Sequence, residues 1–271
     1  MAEKQSTRET LDFLQWRFYF FEDFTETESA FVFKCHHSLA DGIAIILMYF
    51  NLQDKPDMND MPRIAVKFSF LQNFICFTIL PFIMIKIVLN LFFVLPAANN
   101  GLKNPSSHKS YTPLKRACFS ESIPLEMIKA KGKELGVTLN DVVMTVLSNS
   151  LKEYYVEHAN DNKTDQVHLA VPYSLRPPPV KSASDFNFDN QFAILPLKFK
   201  LTSEFASGLK VIKADMDNMK TSVDPFGYYY IIMLLMLMPH MIRSFFLELF
   251  VSKLTFVFSN VPGPRSPFIV G

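Results

Sequence analysis

The sequence is poor in the residues that mark several functional classes. It has only 8 glycines in 271 residues, and no Gly-x-Ser-x-Gly stretch of the kind that forms a hydrolase nucleophile elbow. Its formal net charge is +1, so no basic surface indicates nucleic-acid binding. There is no internal repeat and no low-complexity tract. The length of 271 residues nevertheless suffices for one large domain or two ordinary ones with a sizeable core.

Cysteine is also scarce. Cys35, Cys76 and Cys118 lie far apart without the spacing of metal ligands, and an odd number makes a poor disulfide framework. We therefore expect three free thiols in a reducing compartment. The first residues, MAEKQSTRETLDFLQWRF, are charged and contain no apolar core, so they do not predict a secretory signal.

The chain mixes strand-like and helical segments, which favours an α/β class. Residues 16–24 and 29–37 predict a hairpin around a polar turn, and 41–52 predict a helix. Asn140 or Asp141 is the predicted N-cap of a long helix. Further strands are predicted over 116–123, 166–174, 190–199 and 254–261, and further helices over 124–136, 138–158 and 204–220. The loop 97–113 is the best candidate for a domain boundary.

Residues 64–96 form a long apolar segment. Between Phe68 and Leu95 the only charge is Lys86, and the run is long enough to span a bilayer. Pro81 and Lys86 count against a clean span. A membrane span and a buried or membrane-facing helical hairpin therefore both remain open. Residues 228–251 are also apolar, but they are interrupted by Pro239, Arg243 and Glu248.

The stretch FKCHHSLADGIAI, residues 33–45, carries the clearest chemical signal. Two histidines end a predicted strand and precede a loop into a helix, and an imidazole held there is suited to act as a general base. Neighbours on a strand face opposite ways, so His37 and His36 would differ, one entering a cleft and the other bracing the loop. Asp41 can brace the loop, and Gly42 permits a tight turn. A structural histidine, a metal site and a Ser-His-Asp triad with a distant serine are the alternatives.

The motif His-His-x-x-x-Asp-Gly resembles the signature of the coenzyme A-dependent acyltransferase superfamily. Three further stretches resemble its wax ester synthase/diacylglycerol acyltransferase family. They are the region around Asn140 and Asp141, the AVPYSLRPP strand at 170–178, and SNVPGPRSPFIVG at 259–271. The resemblance implies a chloramphenicol-acetyltransferase-like α/β fold with two lobes of mixed sheets and helices. Residues 1–110 would be the remnant of an N-terminal lobe, carrying the apolar segment 64–96. Residues 111–271 would be an incomplete C-terminal lobe, so the chain resembles a member truncated at both ends.

The resemblance also implies roles for individual residues. His37 would be the catalytic base, and Asp41 would point away from the substrate and pair with an arginine, for which Arg176 is the candidate. His36, Gly42 and Asn140 would support the site. Ser259 or Asn260 would donate to the oxyanion. Cys35 would pack near the cleft without reacting. We expect His37 to open onto a cleft and His36 to be enclosed by packing or hydrogen bonds.

The implied activity is transfer of a fatty acyl group from acyl-CoA to diacylglycerol or a long-chain alcohol. No metal and no cofactor is implied, since acyl-CoA is a co-substrate, and no nucleic-acid partner is expected. The alternative is an inactive membrane-associated remnant of such an enzyme. Membrane or lipid-droplet surfaces are the expected partners, through residues 68–95. We expect association with the cytosolic face of the endoplasmic reticulum or plasma membrane. In the family, residues 228–251 would belong to the globular core.

Overall fold

The computed structural model describes residues 15–53, 70–103, 116–176, 188–261 and 263. Predictions on other residues, such as the Pro-rich turn after Arg176, the final segment from 264 and most of the linker before the apolar helix, lie outside the described part. In chain order, the helices and strands are β1 (Trp16–Phe21), β2 (Ala30–Cys35), α1 (Gly42–Asn51), α2 (Phe70–Leu89), a π-helical turn (Asn90–Val94), α3 (Leu125–Leu135), α4 (Leu139–Glu157), β3 (Gln166–Ser174), β4 (Phe192–Lys200), α5 (Phe205–Thr221), α6 (Asp224–Met236), α7 (His240–Ser252) and β5 (Phe256–Val257).

The N-terminal region is the predicted hairpin. Strands β1 and β2 pair antiparallel, with Trp16 opposite Cys35 and Phe21 opposite Ala30. Aromatic pairs across the strands hold one face together, as where the Phe18 and Phe31 rings stack with centroids 4.7 Å apart. A two-stranded hairpin is marginal alone. Helix α1 follows it and buries Leu47 and Phe50.

A second sheet has the strand order β4-β3-β5. Strand β3 pairs antiparallel with β4 and parallel with β5, so the sheet is mixed. Alternation along β3 sends Val167, Leu169 and Val171 to one face, where they join the core under α4 and α5. Met144 of α4 and Ile212 of α5 are almost fully buried there. This face of the sheet is the main packed core.

Helices α2, α6 and α7 cover the other face of the sheet. Helix α2 packs against α6 at Gly227, where a Cβ atom would lie 2.6 Å from Ile83 Cγ2 and 2.7 Å from Ile87 Cδ1. Glycine is therefore needed for this close approach. Pro81 lies inside α2 without ending it. The apolar segment thus contributes a helix to the globular fold over the residues described.

The predicted mixed α/β class, with more than one sheet and helices between strands, is confirmed. The division into lobes at residue 110 stays a prediction. Helix α3 ends at Gly136, in the left-handed conformation with φ 65°, and Pro124 precedes its first residue, so the helix lies within the predicted range 124–136.

Three expectations about individual segments are wrong. Residues 116–123 form no strand, because their side chains are exposed and no described strand lies beside them to supply hydrogen bonds. Thr138, and neither Asn140 nor Asp141, is the N-cap of α4; its side chain forms a capping box with Asp141. The strand at 254–261 shrinks to Phe256–Val257.

The expectation that residues 228–251 are core is also wrong in part. Helix α7 contains no buried residue, and large apolar side chains near the turn between α6 and α7 face solvent. Leu237 is 81% exposed and Met241 is 83% exposed. Over the residues that the structure describes, no helix combines the length and the apolarity needed to cross a membrane.

Candidate active site

The histidine pair lies in a turn between β2 and α1. The strand ends at Cys35, and the backbone N–H of His36 still donates to the Gln15 carbonyl at 2.7 Å. The chain then turns, and Asp41 caps α1 by accepting the backbone N–H of Ala44 at 2.8 Å. Strand and helix therefore hold the turn at both of its ends.

Asp41 forms a buried ion pair with Arg176, which follows β3. Arg176 Nη2 donates to Asp41 Oδ2 at 3.0 Å and Nε donates to Oδ1 at 3.4 Å, a two-pronged contact. The two side chains are only 8% and 6% exposed. The backbone N–H of Gln191 donates to the same carboxylate at 2.9 Å. The predicted salt bridge is confirmed.

This geometry limits what Asp41 can do. Its two carboxylate oxygens accept from Arg176 and from the backbone amides of Ala44 and Gln191. No hydrogen bond joins Asp41 to either histidine ring within the part of the chain described. Asp41 is therefore a positioning residue for the turn rather than the orienting acid of a Ser-His-Asp triad.

Residues 189–191, here called the bracing segment, hold the turn from the C-terminal part of the chain. Arg176 Nη2 also donates to Asp189 Oδ1 at 2.9 Å and to the Asp189 carbonyl oxygen. Asn190 Nδ2 donates to the carbonyl oxygens of His37 and Ser38, each at 3.0 Å. Sequence reasoning missed these residues. The available signal was a run of three polar residues directly before β4.

His37 points its ring into solvent and towards Phe192, the first residue of β4. The two ring centroids are 5.8 Å apart and tilted by 48°. Within the described residues the imidazole has no hydrogen-bond partner, so its tautomer is not fixed by a neighbour there. The backbone of His37 is therefore held firmly by Asn190, while its ring nitrogens stay accessible to a reacting hydroxyl.

His36 behaves differently from expectation. Its side chain is exposed, so the prediction of enclosure by packing is wrong. It does hydrogen-bond within the loop: the Ser38 backbone N–H donates to His36 Nδ1 at 3.2 Å, and Ser38 Oγ lies 2.8 Å from the same nitrogen. The prediction failed because both histidines follow β2 instead of lying in it, so strand alternation does not govern them.

The segment after β5 reaches the start of α1 and of α4. A Cβ atom on Gly42 would lie 3.3 Å from Val261 Cγ2, so glycine serves close packing here. Asn260 Nδ2 donates to Asn140 Oδ1, which brings two residues selected from the sequence together. Neither amide is bonded to His37 among the residues described. Their roles, and that of Ser259 as an oxyanion donor, stay predictions.

Two other chemistries find little support in this region. Among the residues of known placement, no group of three or more His, Cys, Asp and Glu side chains is arranged to hold a metal ion. Burial raises the pKa of the Cys35 thiol, which disfavours the nucleophilic thiolate. A covalent step through Cys35 therefore lacks an activated nucleophile.

One comparison with known proteins finds a match in the C-terminal part of the chain. Residues 189–271 match the family model described as the WS/DGAT C-terminal domain. This family model describes part of a group of acyltransferases, and the match covers the C-terminal part of the chain. More narrowly, residues 189–271 are similar to the C-terminal domain of the wax ester synthase/diacylglycerol acyltransferase family. The match begins at the bracing segment, whereas the histidine turn lies before it. A comparison with curated proteins finds no match.

Proposed function

We propose that the chain transfers a fatty acyl group from acyl-CoA to the hydroxyl of diacylglycerol or of a long-chain alcohol, with His37 as general base. One observation supports this most strongly. Asn190 holds the carbonyl oxygen of His37, and the Asp41–Arg176 pair holds the end of the same turn, while the imidazole is left accessible. A base used for catalysis needs this combination of a rigid support and a free nitrogen.

In the proposed reaction His37 takes the proton of the acceptor hydroxyl. The oxygen attacks the thioester carbonyl of acyl-CoA, the C–S bond breaks, and the imidazolium returns its proton to the leaving thiolate. The net result is ester plus CoA, and no acyl-enzyme forms. Ser259 or Asn260 would stabilise the oxyanion. Asn260 Nδ2 donates to Asn140 Oδ1 at the start of α4.

Lipid acceptors require the enzyme to reach a lipid surface, and we include membrane or lipid-droplet association in the proposal. Helix α2, the π-helical turn and α7 expose large apolar side chains, among them Phe82, Phe93 and Met241. Exposed apolar patches of this kind mark interaction sites. The proposed location is the cytosolic face of the endoplasmic reticulum or plasma membrane.

The alternative is an inactive membrane-associated remnant, in which no neighbouring group orients the His37 imidazole for catalysis. Both imidazole rings are exposed, and the described residues supply no hydrogen bond to that of His37. The decisive measurement is ester formation by the purified chain from labelled acyl-CoA with diacylglycerol or hexadecanol in mixed micelles. We expect His37→Ala to lower turnover about 10²–10⁴-fold, as removal of a general base does.

His36→Ala is the matched control for that experiment. It removes an exposed neighbouring imidazole whose bonds stay within the loop, so turnover should fall far less. Equal turnover of His37→Ala and wild type, both folded, would rule out the mechanism. Absence of product from the folded wild-type chain with every acceptor would favour the remnant.

A further inference from the structure

A large apolar cavity lies on the face of the sheet opposite the packed core. Its volume is about 900 Å³, and its walls come from α2, the π-helical turn, α6, α7 and the strands of the second sheet. Ala170, Ile194 and Val257 line it from the three strands. The volume is in the upper part of the range of ligand pockets. The cavity is partly open to solvent, and its size and apolar lining suit it to bind a ligand.

The lining is almost entirely aliphatic and aromatic. The polar side chains along it are those of Lys103, Tyr228 and Thr255. Among the described lining residues, Lys103 is the one with a charge. An apolar cavity with a single cation fits a ligand that has a long hydrocarbon chain and one anionic end.

Lys103 has the capacity to receive that anionic end. Its Nζ donates to the carbonyl oxygens of Val251 at 2.6 Å and Leu254 at 2.7 Å, at the C-terminal end of α7. An ammonium has three N–H groups, so one remains beyond these two bonds. No carboxylate within the described residues forms a salt bridge with it. Burial lowers the pKa of Lys103, as expected for a cation that lacks a compensating anion.

The position of Lys103 also distinguishes this site from the His37 turn. Thr255 follows Leu254, whose carbonyl oxygen accepts from Lys103, and the Thr255 backbone N–H donates to the His168 carbonyl oxygen near the start of β3. Arg176 and the bracing segment lie beyond the other end of β3. The cavity approaches the histidine turn through β4, where Ile194 lines the cavity and Phe192, two residues before it on the same face, contacts the His37 ring. An anion at Lys103 would therefore lie at the end of the cavity away from His37.

We propose that this cavity binds a long-chain fatty acid, with its carboxylate at Lys103 and its hydrocarbon chain along the face of the sheet towards Ile194. This site is separate from the His37 turn and does not depend on acyl transfer. A fatty carboxylate supplies both features of the cavity, because its chain matches the apolar wall and its charge matches the lone cation.

The test is equilibrium dialysis of the full chain against labelled oleate, below its critical micelle concentration, and labelled oleyl alcohol, below its solubility limit. We expect saturable binding of both, with oleate the tighter. Lys103→Met should weaken oleate binding about tenfold, the worth of a charge-assisted hydrogen bond, and leave oleyl alcohol unchanged. Lys103→Arg keeps the charge and should retain oleate binding even if the hydrogen bonds to the Val251 and Leu254 carbonyl oxygens change.

One further variant tests where the hydrocarbon chain of the ligand lies, and a second serves as its control. Ile194→Trp fills the cavity and should weaken both ligands about tenfold or more. Lys213→Met is the control, because this lysine pairs with Asp217 on α5, across the sheet from the cavity. Absence of saturable oleate binding by the folded wild type would overturn the proposal, as would equal oleate affinity in Lys103→Met. Since dialysis needs no turnover, a failure here is separate from a failure of the acyltransferase proposal.

Discussion

The two faces of the second sheet differ sharply, although the same strands build both. On one face α4 and α5 bury Met144, Phe199 and Ile212 in a continuous core. On the other face α2, α6 and α7 enclose a cavity of about 900 Å³ and expose many apolar side chains. The first face is a packed core, and the second is the face for which we propose contact with apolar molecules. One β-sheet thus carries a closely packed layer of helices on one face and a layer that borders a cavity on the other.

The largest expected effect tests the packed face directly. Phe199→Ala should lower the free energy of unfolding by about 3–5 kcal/mol, because it empties a fully enclosed site. Phe246→Ala, on the cavity wall, should cost clearly less because its ring already borders empty space. Urea unfolding of both variants measures the difference, and equal costs would contradict the contrast between the faces.

The ion pair beyond β3 provides the next test. Arg176→Met leaves Asp41 buried without its cationic partner, which should cost about 3–5 kcal/mol of unfolding free energy. The double variant Asp41→Asn with Arg176→Met should recover part of that loss, because it removes the unpaired charge. Chemical denaturation of the two variants measures the recovery; a double variant less stable than the single one would disagree with this account.

Gly227 tests how α2 closes the cavity face. Gly227→Ala places a methyl group within 2.6 Å of Ile83, so α2 must shift or Ile83 must change rotamer, at about 1–3 kcal/mol. Urea unfolding gives the cost. Val146→Ala, an exposed site on α4, is the control and should change stability little. An unchanged unfolding midpoint in Gly227→Ala would show that α2 does not pack there.

The smallest expected effect concerns pH. Burial, together with the nearby Lys198, lowers the pKa of His168 on β3. The unfolded chain therefore binds a proton more readily, and stability should fall as the pH drops below about 6.5, the ordinary histidine pKa. Unfolding curves from pH 7.5 to 5.5 should show this fall, and His168→Gln should reduce it. The control is His240→Gln, at an exposed site, and should leave the slope as in wild type.

Much of the local structure followed from sequence patterns. The hairpin, α1, α3 and α5 were predicted because alternating or helical periodicity agreed with turn and cap residues. The Asp41–Arg176 pair followed from a family resemblance, since the two residues lie far apart in the chain. The bracing segment was missed because three polar residues before a strand are common in loops. The residues that the bracing segment contacts are brought to it by tertiary packing, which the local sequence does not specify.

The apolar segment shows a different limit of sequence reasoning. A nearly uncharged run such as 68–95 has the same composition whether it meets lipid, a protein core or a cavity. Contacts with residues distant in sequence show that α2 packs against α6: Ile83 lies against Gly227, and Lys86 pairs with Asp224. The failed strand at 116–123 has the same cause, because a strand needs a neighbour that the local sequence does not specify.

Four consecutive residues connect the histidine turn with the wall of the cavity, and each has its own contact. Asp189 holds Arg176, Asn190 holds the carbonyl oxygens of the histidine turn, Gln191 holds Asp41, and Phe192 meets the His37 ring. The number of residues in this segment matters more than their chemistry, because each contact requires its residue at a fixed position along the chain. One residue inserted after Gln191 would turn Phe192 and Ile194 to the opposite side of β4, or slide the strand along its partner. Such a change would separate the histidine turn from the cavity wall while every helix remained in place.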